Sequence, residues 1–185
     1  MASIPVCLKR QLFILSCLPL LAACGAPQDR GRVRQAVQAQ SSKAKPVDFT
    51  LEDLEKNVIH LAEHRDSIVL ITYFTTWCAP CAELLPLLNK LANGPEALSN
   101  VVVIGISVDL QPKKMLPPFI ESWGLNFPVA LADQAMLHGR TPFGQLVAVP
   151  STYLIDPNGY EVGRFVGAVP MTHLRQKLES LGAKR

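Results

Sequence analysis

Two cysteines with two residues between them, Cys78-Ala79-Pro80-Cys81, are the residues of this sequence best suited to chemistry. At that spacing a pair can close a small disulfide and reopen it by exchange with another thiol. A continuous apolar run ends just before the pair and a helical pattern begins just after it, so the first sulfur falls at a helix start. Unpaired N–H groups and the positive end of the helix dipole there favour a thiolate. Cys78, the outer sulfur, is expected to attack a substrate disulfide, and Cys81, one turn inside, to resolve the mixed disulfide. Metal or cofactor binding fits poorly. A four-cysteine zinc site needs a second pair, and haem attachment needs a histidine where Ala82 stands. His60, His64, His138 and His173 are scattered without ligand-like spacing. A purely structural disulfide here would close so short a loop that it contributes little stability.

The elements that must hold this pair are legible around it. Ile68-Val69-Leu70-Ile71-Thr72-Tyr73-Phe74 is the β-branched and aromatic run of a strand covered on both faces. Leu84, Leu87, Leu88 and Leu91 follow helical spacing up to the Gly94-Pro95 stop, with Pro86 expected to kink the helix. Residues 101–108 form a second buried-strand pattern. A helix is expected between Pro112 and Trp123, with Pro117-Pro118 either beginning or breaking it. Residues 127–131 read as a short extension and residues 134–137 as a short helix. Residues 151–155, the turn Asp156-Pro157-Asn158-Gly159 and residues 161–166 read as a hairpin. An amphipathic helix over residues 172–181 closes the chain. Two short strands at residues 47–51 and 58–61 precede all of this. The order describes one α/β domain, a central mixed sheet with helices on both faces. Trp123 is expected in the core.

The segments Phe74-Thr75-Thr76-Trp77-Cys78-Ala79-Pro80-Cys81 and Val149-Pro150-Ser151-Thr152-Tyr153-Leu154-Ile155-Asp156 resemble the TlpA/ResA-type branch of the thioredoxin superfamily. The resemblance covers residues 46–185 and implies a thioredoxin-like fold with an added N-terminal β-hairpin. It implies a thiol-disulfide oxidoreductase without cofactor, in which Pro150 is cis and faces the cysteines. A cis bond costs little before proline and turns the chain sharply, leaving the Val149 backbone free to pair with an extended substrate. An ordinary trans proline opening a strand is the alternative. Trp77, Pro80 and Val149 are the expected substrate-binding residues, Trp77 as an apolar platform. The chain departs from the pattern at its acids. Thr72 stands where thioredoxins have a buried acid, and Leu84 where many TlpA/ResA relatives have a glutamate. Glu83 points about 200° away from Cys81 on a helix. Asp109, at the carboxyl end of its strand, is a candidate proton acceptor, with a solvated strand-end aspartate as the alternative.

The first 23 residues read as a signal: Lys9 and Arg10 precede a short apolar run that contains Pro19. That run is too short for a bilayer span of about 20 residues. Leu21-Ala22-Ala23-Cys24-Gly25 resembles the lipobox of bacterial lipoproteins, which implies cleavage before Cys24 and its acylation. Simple cleavage leaving a free thiol is the alternative. Residues 24–45, rich in Gln, Ala, Ser and basic residues, read as a flexible linker from the lipid to the domain at 46–185. Of five cysteines, Cys7 and Cys17 would leave with the signal and Cys24 would carry lipid. Without Lys9 and Arg10, sixteen basic residues face fifteen acidic ones, a net charge of +1 that leaves no nucleic-acid footprint.

The expected place is the bacterial cell envelope, lipid-anchored, with the domain in the periplasm or another extracytoplasmic space. The expected partners are cysteine-containing exported proteins and a membrane donor of electrons for thiols. Reduction of exported proteins leads; disulfide donation uses the same residues, the direction being set by the potential. Two other readings remain: a peroxiredoxin-like peroxidase, which needs a lone peroxidatic cysteine, and a copper chaperone holding Cu(I) between the sulfurs. Neither a methionine nor a histidine cluster supports the latter.

Overall fold

The computed structural model describes residues 45–95 and 97–184. The signal at 1–23, Cys24 and all but the last residue of the 24–45 linker lie outside the described residues. Among the described residues no helix is long and apolar enough to cross a membrane.

The β-branched run over Ile68–Phe74 forms β3, buried along its whole length, because it is covered on both faces. Two short strands precede it, β1 (Thr50–Glu52) and β2 (Val58–His60), paired antiparallel with Leu51 opposite Ile59. A 3₁₀ turn at Leu61–His64 joins them to β3. After β3 come α1 (Ala79–Asn93), β4 (Val101–Ser107), α2 (Pro112–Trp123), β5 (Val129–Leu131) and α3 (Gln134–Leu137). The minor strands β6 (Arg140–Thr141) and β7 (Gly144–Gln145) follow. Last are β8 (Ser151–Ile155), β9 (Glu161–Val166) and α4 (Met171–Ser180).

The central sheet has the order β5-β4-β3-β8-β9. β4 runs parallel to both β3 and β5, while β8 is antiparallel to β3 and to β9. A parallel neighbour needs a crossover, and α1 provides it between β3 and β4. The period-two alternation of β3 divides the core. Ile68, Leu70 and Phe74 face one side with Leu85, Leu88 and Leu91 of α1, Leu116 and Phe119 of α2, and Leu174 and Leu178 of α4. Val69, Ile71 and Tyr73 face the other, under Leu51, Ile59 and Leu61 of the N-terminal segment, Met136 of α3, and Phe143. Each fully buried side chain of this size contributes about 1.5–3 kcal/mol. The expected thioredoxin-like layering holds, with three longer helices on one face and the hairpin plus short α3 on the other.

Two local expectations need correction. α2 begins at Pro112 and runs through Pro117 and Pro118, which neither begin nor break it. Both prolines and Lys113 and Lys114, whose carbonyls lose their partners, lie on the exposed side, where water can replace the bonds. Leu116 and Phe119, buried on the other side, hold the helix down. Trp123 is not a core residue: it is 44% exposed and leans on Phe119 at the rim, ring centroids 6.3 Å apart. The β6–β7 hairpin is an addition that no alternating pattern foretold, since each strand has two residues. α1 continues unbroken through Pro86.

Candidate active site

β3 delivers the chain to the sheet's carboxyl edge, and the next four residues turn it into α1. Three interactions hold that turn. Val108 N–H donates to the Phe74 carbonyl at 2.9 Å, extending the ladder with β4, and Cys78 N–H donates to the Thr75 carbonyl at 3.3 Å. Between them, Thr76 is gripped by Asp109. Its N–H donates to both carboxylate oxygens at 3.2 and 3.1 Å, and its hydroxyl donates to Oδ1 at 3.0 Å. Ser107 Oγ donates to Oδ2 at 2.8 Å.

Asp109 is therefore not a solvated strand end: it is 4% exposed, and its oxygens are committed to the loop that carries the cysteines. To accept a proton from Cys81 it would first have to release one of these donors. Thr72, where an acid was missing, is instead paired through its hydroxyl with Thr152 directly across the strand pair at 3.0 Å. Leu84, on the inner side of α1, is buried in the core, and Glu83 is exposed.

Cys78 is the N-cap of α1, and Pro80 sits in the first turn, where a missing N–H costs nothing. Cys78 and Cys81 are joined as a disulfide, with their Cα atoms 5.2 Å apart. The Cys81 N–H donates to Cys78 Sγ at 3.2 Å. That N–H also donates to the Cys78 carbonyl at 3.0 Å, so the sulfur shares a donor at the helix start, a contact that would favour a thiolate here after reduction. Burial separates the two sulfurs: the Cys78 residue is 7% exposed and Cys81 fully enclosed. Trp77 is 73% exposed.

The Val149–Pro150 bond is cis. Register brings it to the cysteines' edge of the sheet, because Ser151 opens β8 opposite Tyr73 near the end of β3. The Pro150 carbonyl accepts from Gly167 N–H at 2.7 Å, and the Ala148 carbonyl from Ser151 Oγ at 2.7 Å. Among the described residues no hydrogen bond engages the Val149 N–H or carbonyl. Trp77, Val149, Val108, Thr75, Leu146 and Val147 border one open pocket with Met136 and Leu137 of α3. Sequence reading missed Thr75, Leu146 and Val147; an apolar Leu-Val pair in a loop, two residues before Val-Pro, was the available signal. Among the described residues no group of His, Cys, Asp and Glu could hold a metal ion.

A thioredoxin-like sheet ending in a helix-capping cysteine, bonded to a second cysteine one turn along, defines the class of thiol-disulfide oxidoreductases. Comparison with known proteins agrees. Residues 42–160 match the AhpC/TSA family. Thiol-disulfide oxidoreductase ResA of Geobacillus thermodenitrificans is 31% identical over 134 residues, 72% of this chain and 74% of that protein. ResA of Bacillus cereus is 26% identical over 177 residues, 94% of this chain and 99% of that protein. A thiol:disulfide interchange protein of the thioredoxin family from Chlorobium tepidum shares the fold, with a TM-score of 0.64 at 19% identity, over 76% of this chain and 99% of that one. The chain belongs to the AhpC/TSA family, among thiol-disulfide oxidoreductases of the ResA type.

Proposed function

We propose that this oxidoreductase works outside the cytoplasm, held to a membrane by lipid on Cys24, and reduces disulfides of exported proteins. The observation that carries the reading is the asymmetric pair at the start of α1, a shallow Cys78 and an enclosed Cys81. The N-terminal signal, the lipobox-like Leu21-Ala22-Ala23-Cys24 and the linker after it support the location.

In the reduced protein, the Cys78 thiolate attacks one sulfur of a substrate disulfide. A bond forms between Cys78 and that sulfur, the substrate S–S bond breaks, and the other substrate sulfur leaves as a thiolate that takes up a proton. Cys81 then loses its proton and attacks Cys78 Sγ, closing the disulfide seen here and releasing the second substrate thiol. Two electrons pass from the protein to the substrate; a membrane donor of thiol electrons must return them. Trp77 and Pro80 offer the incoming chain an apolar surface, and the unengaged Val149 backbone offers it a strand edge. Pro150 adds no competing donor at that edge. Asp109 holds the loop on which Cys78 rides.

The test is exchange with an oxidised protein substrate by the reduced full chain. Cys78→Ser is expected to abolish turnover, and Cys81→Ser to accumulate a mixed disulfide visible on a non-reducing gel. Full activity in both variants would sink the mechanism. Cys24→Ser is expected to move the protein from the membrane to the soluble envelope fraction; unchanged fractionation would remove the anchor. Peroxide turnover or stoichiometric Cu(I) uptake in place of exchange would favour the peroxidase or chaperone reading instead.

A further inference from the structure

Four stretches of chain meet at the sheet edge that carries the cysteines: residues 75–80 after β3, 108–112 after β4, 146–150 before β8 and 166–170 at the end of β9. Of these residues only Asp109 is charged, and it is buried with its carboxylate turned to Thr76. The same stretches hold the four most exposed large apolar side chains among the described residues. These are Leu110, Trp77, Val147 and Val166, from 85% down to 51% exposed. One exposed apolar residue needs no explanation, but an uncharged group of them drawn from four separate stretches marks a contact surface.

Strand order sets these stretches in a row. β4, β3, β8 and β9 are successive neighbours in the sheet, so the loop bearing Leu110 stands on one side of Trp77 and the loop bearing Val147 on the other. Contacts agree on both sides: Asp109, next to Leu110, holds Thr76, and Val147 and Val149 share a pocket wall with Trp77. Cys78 directly follows Trp77 and so lies within the row. Neighbouring strands are about 4.8 Å apart, which sets the loops of β4 and β8 roughly 10 Å from one another. In an extended chain the residues two before and two after a cysteine share its face and lie about 13 Å apart. The row is therefore long enough to meet one neighbour on each side of a bound cysteine.

We infer that Leu110 and Val147 read large apolar side chains on the two sides of a substrate cysteine, so that the preferred substrate is an extended exported chain with an apolar neighbour on each flank of its reactive cysteine. This rests on the proposed function and adds a substrate class to it. The Val149 backbone pairs with the extended chain, and the two side chains cover its flanks. Apolar neighbours gain by leaving water, whereas a charged neighbour loses water and finds no partner in the row. A folded protein keeps such a stretch inside, so the row selects chains that have not yet buried it.

The experiment measures second-order rate constants for oxidation of the reduced full chain by symmetric disulfides of single-cysteine peptides that carry Leu or Ser two residues before the cysteine and two after it. In each reaction the peptide S–S bond takes up two electrons and two protons and leaves as two thiols, while Cys78 and Cys81 close their own bond. Leu in place of Ser is expected to raise the rate about fivefold at either flank and about twenty-fivefold at both, as two independent, partly buried contacts would. Leu110→Ser is expected to abolish the preference at one flank and keep it at the other, and Val147→Ser to do the reverse. Each ratio compares peptides within one protein, so a loss of folded protein lowers both rates and leaves the ratio standing. Equal rates for all the peptides with the unaltered protein, or preferences that survive both substitutions, would overturn the row's role while leaving the exchange reaction intact. Equal rates accompanied by dimers that Leu110→Ser dissolves in sedimentation would give the row to a second copy of the chain instead. No oxidation by any peptide would overturn the exchange reading itself and the row's role with it.

Discussion

The residues proposed to react were the easiest to read, because their chemistry is written in local spacing. Cys78 and Cys81 declared themselves by two intervening residues and by the strand and helix patterns on either side. Pro150 declared itself through the Val-Pro step before a strand. What spacing could not show was the tertiary use of polar groups. Asp109 is 33 positions beyond Thr76 in sequence, and only the fold brings its carboxylate under that N–H. Thr75 resembles any threonine until its hydroxyl is found without a partner. The Asp109 grip has a measurable value. Asp109→Ala leaves the Thr76 N–H and the Ser107 hydroxyl without their acceptor and is expected to destabilise the oxidised protein by about 1–3 kcal/mol in denaturant unfolding. Asp109→Asn retains one acceptor oxygen and should cost less. Equal stability of Asp109→Ala and the unaltered protein would show that the loop is held by other means.

At the scale of elements, β3 was legible to the residue, since a seven-residue β-branched run allows few other readings. α2 was not, because two adjacent prolines in a helix interior are a strong stop signal that only tertiary anchoring by Leu116 and Phe119 overrides. The β6–β7 hairpin was invisible because two-residue strands carry no period. β4 holds a less obvious constraint at Gly105. A Cβ there would meet Phe74 Cε1 at 3.1 Å and Phe127 Cε2 at 3.2 Å. Phe74 is itself stacked on Phe119, ring centroids 5.9 Å apart, so it has little room to retreat. Gly105→Ala is expected to destabilise the fold by about 1–3 kcal/mol through overpacking, read as a lowered unfolding midpoint. A neutral or raised midpoint would show that the rings can shift.

For the molecule as a whole, the layered architecture was readable from element order, but the second face was not. It is closed by short pieces, the N-terminal hairpin, α3 and the Phe143 loop, around an aromatic cluster. Phe143 stacks on Tyr153 at 4.2 Å, and Tyr73 meets both rings edge-on. Arg164 lies over the Tyr153 ring, ion-paired with Glu161 and donating to the Phe143 carbonyl. Burial pushes the ionisation of Tyr73 and Tyr153 above the ordinary phenol range. Thr141 lies near enough to ease this for Tyr73, but forms no well-shaped hydrogen bond with it.

Both phenols stay protonated in the fold, whereas those of the unfolded chain ionise above about pH 10. This contribution to stability is complete below that pH and is lost as pH rises from there toward the folded values. Tyr73→Phe removes one such group together with an orphaned hydroxyl. It is expected to be more stable than the unaltered protein at pH 8, because the orphaned hydroxyl is gone, and to lose less stability by pH 11 in urea unfolding. An identical alkaline loss in the two proteins would assign the effect elsewhere.

The unequal depth of the two sulfurs reaches beyond the bond they form. Of the two residues only Cys78 has any exposed surface, so under the proposed function the domain meets a large partner as a monothiol. In the proposed exchange Cys81 enters only after Cys78 has captured a molecule, by attacking Cys78 Sγ from within. On that reading capture precedes release because of where the two sulfurs sit, with no difference in affinity between the steps needed to keep their order.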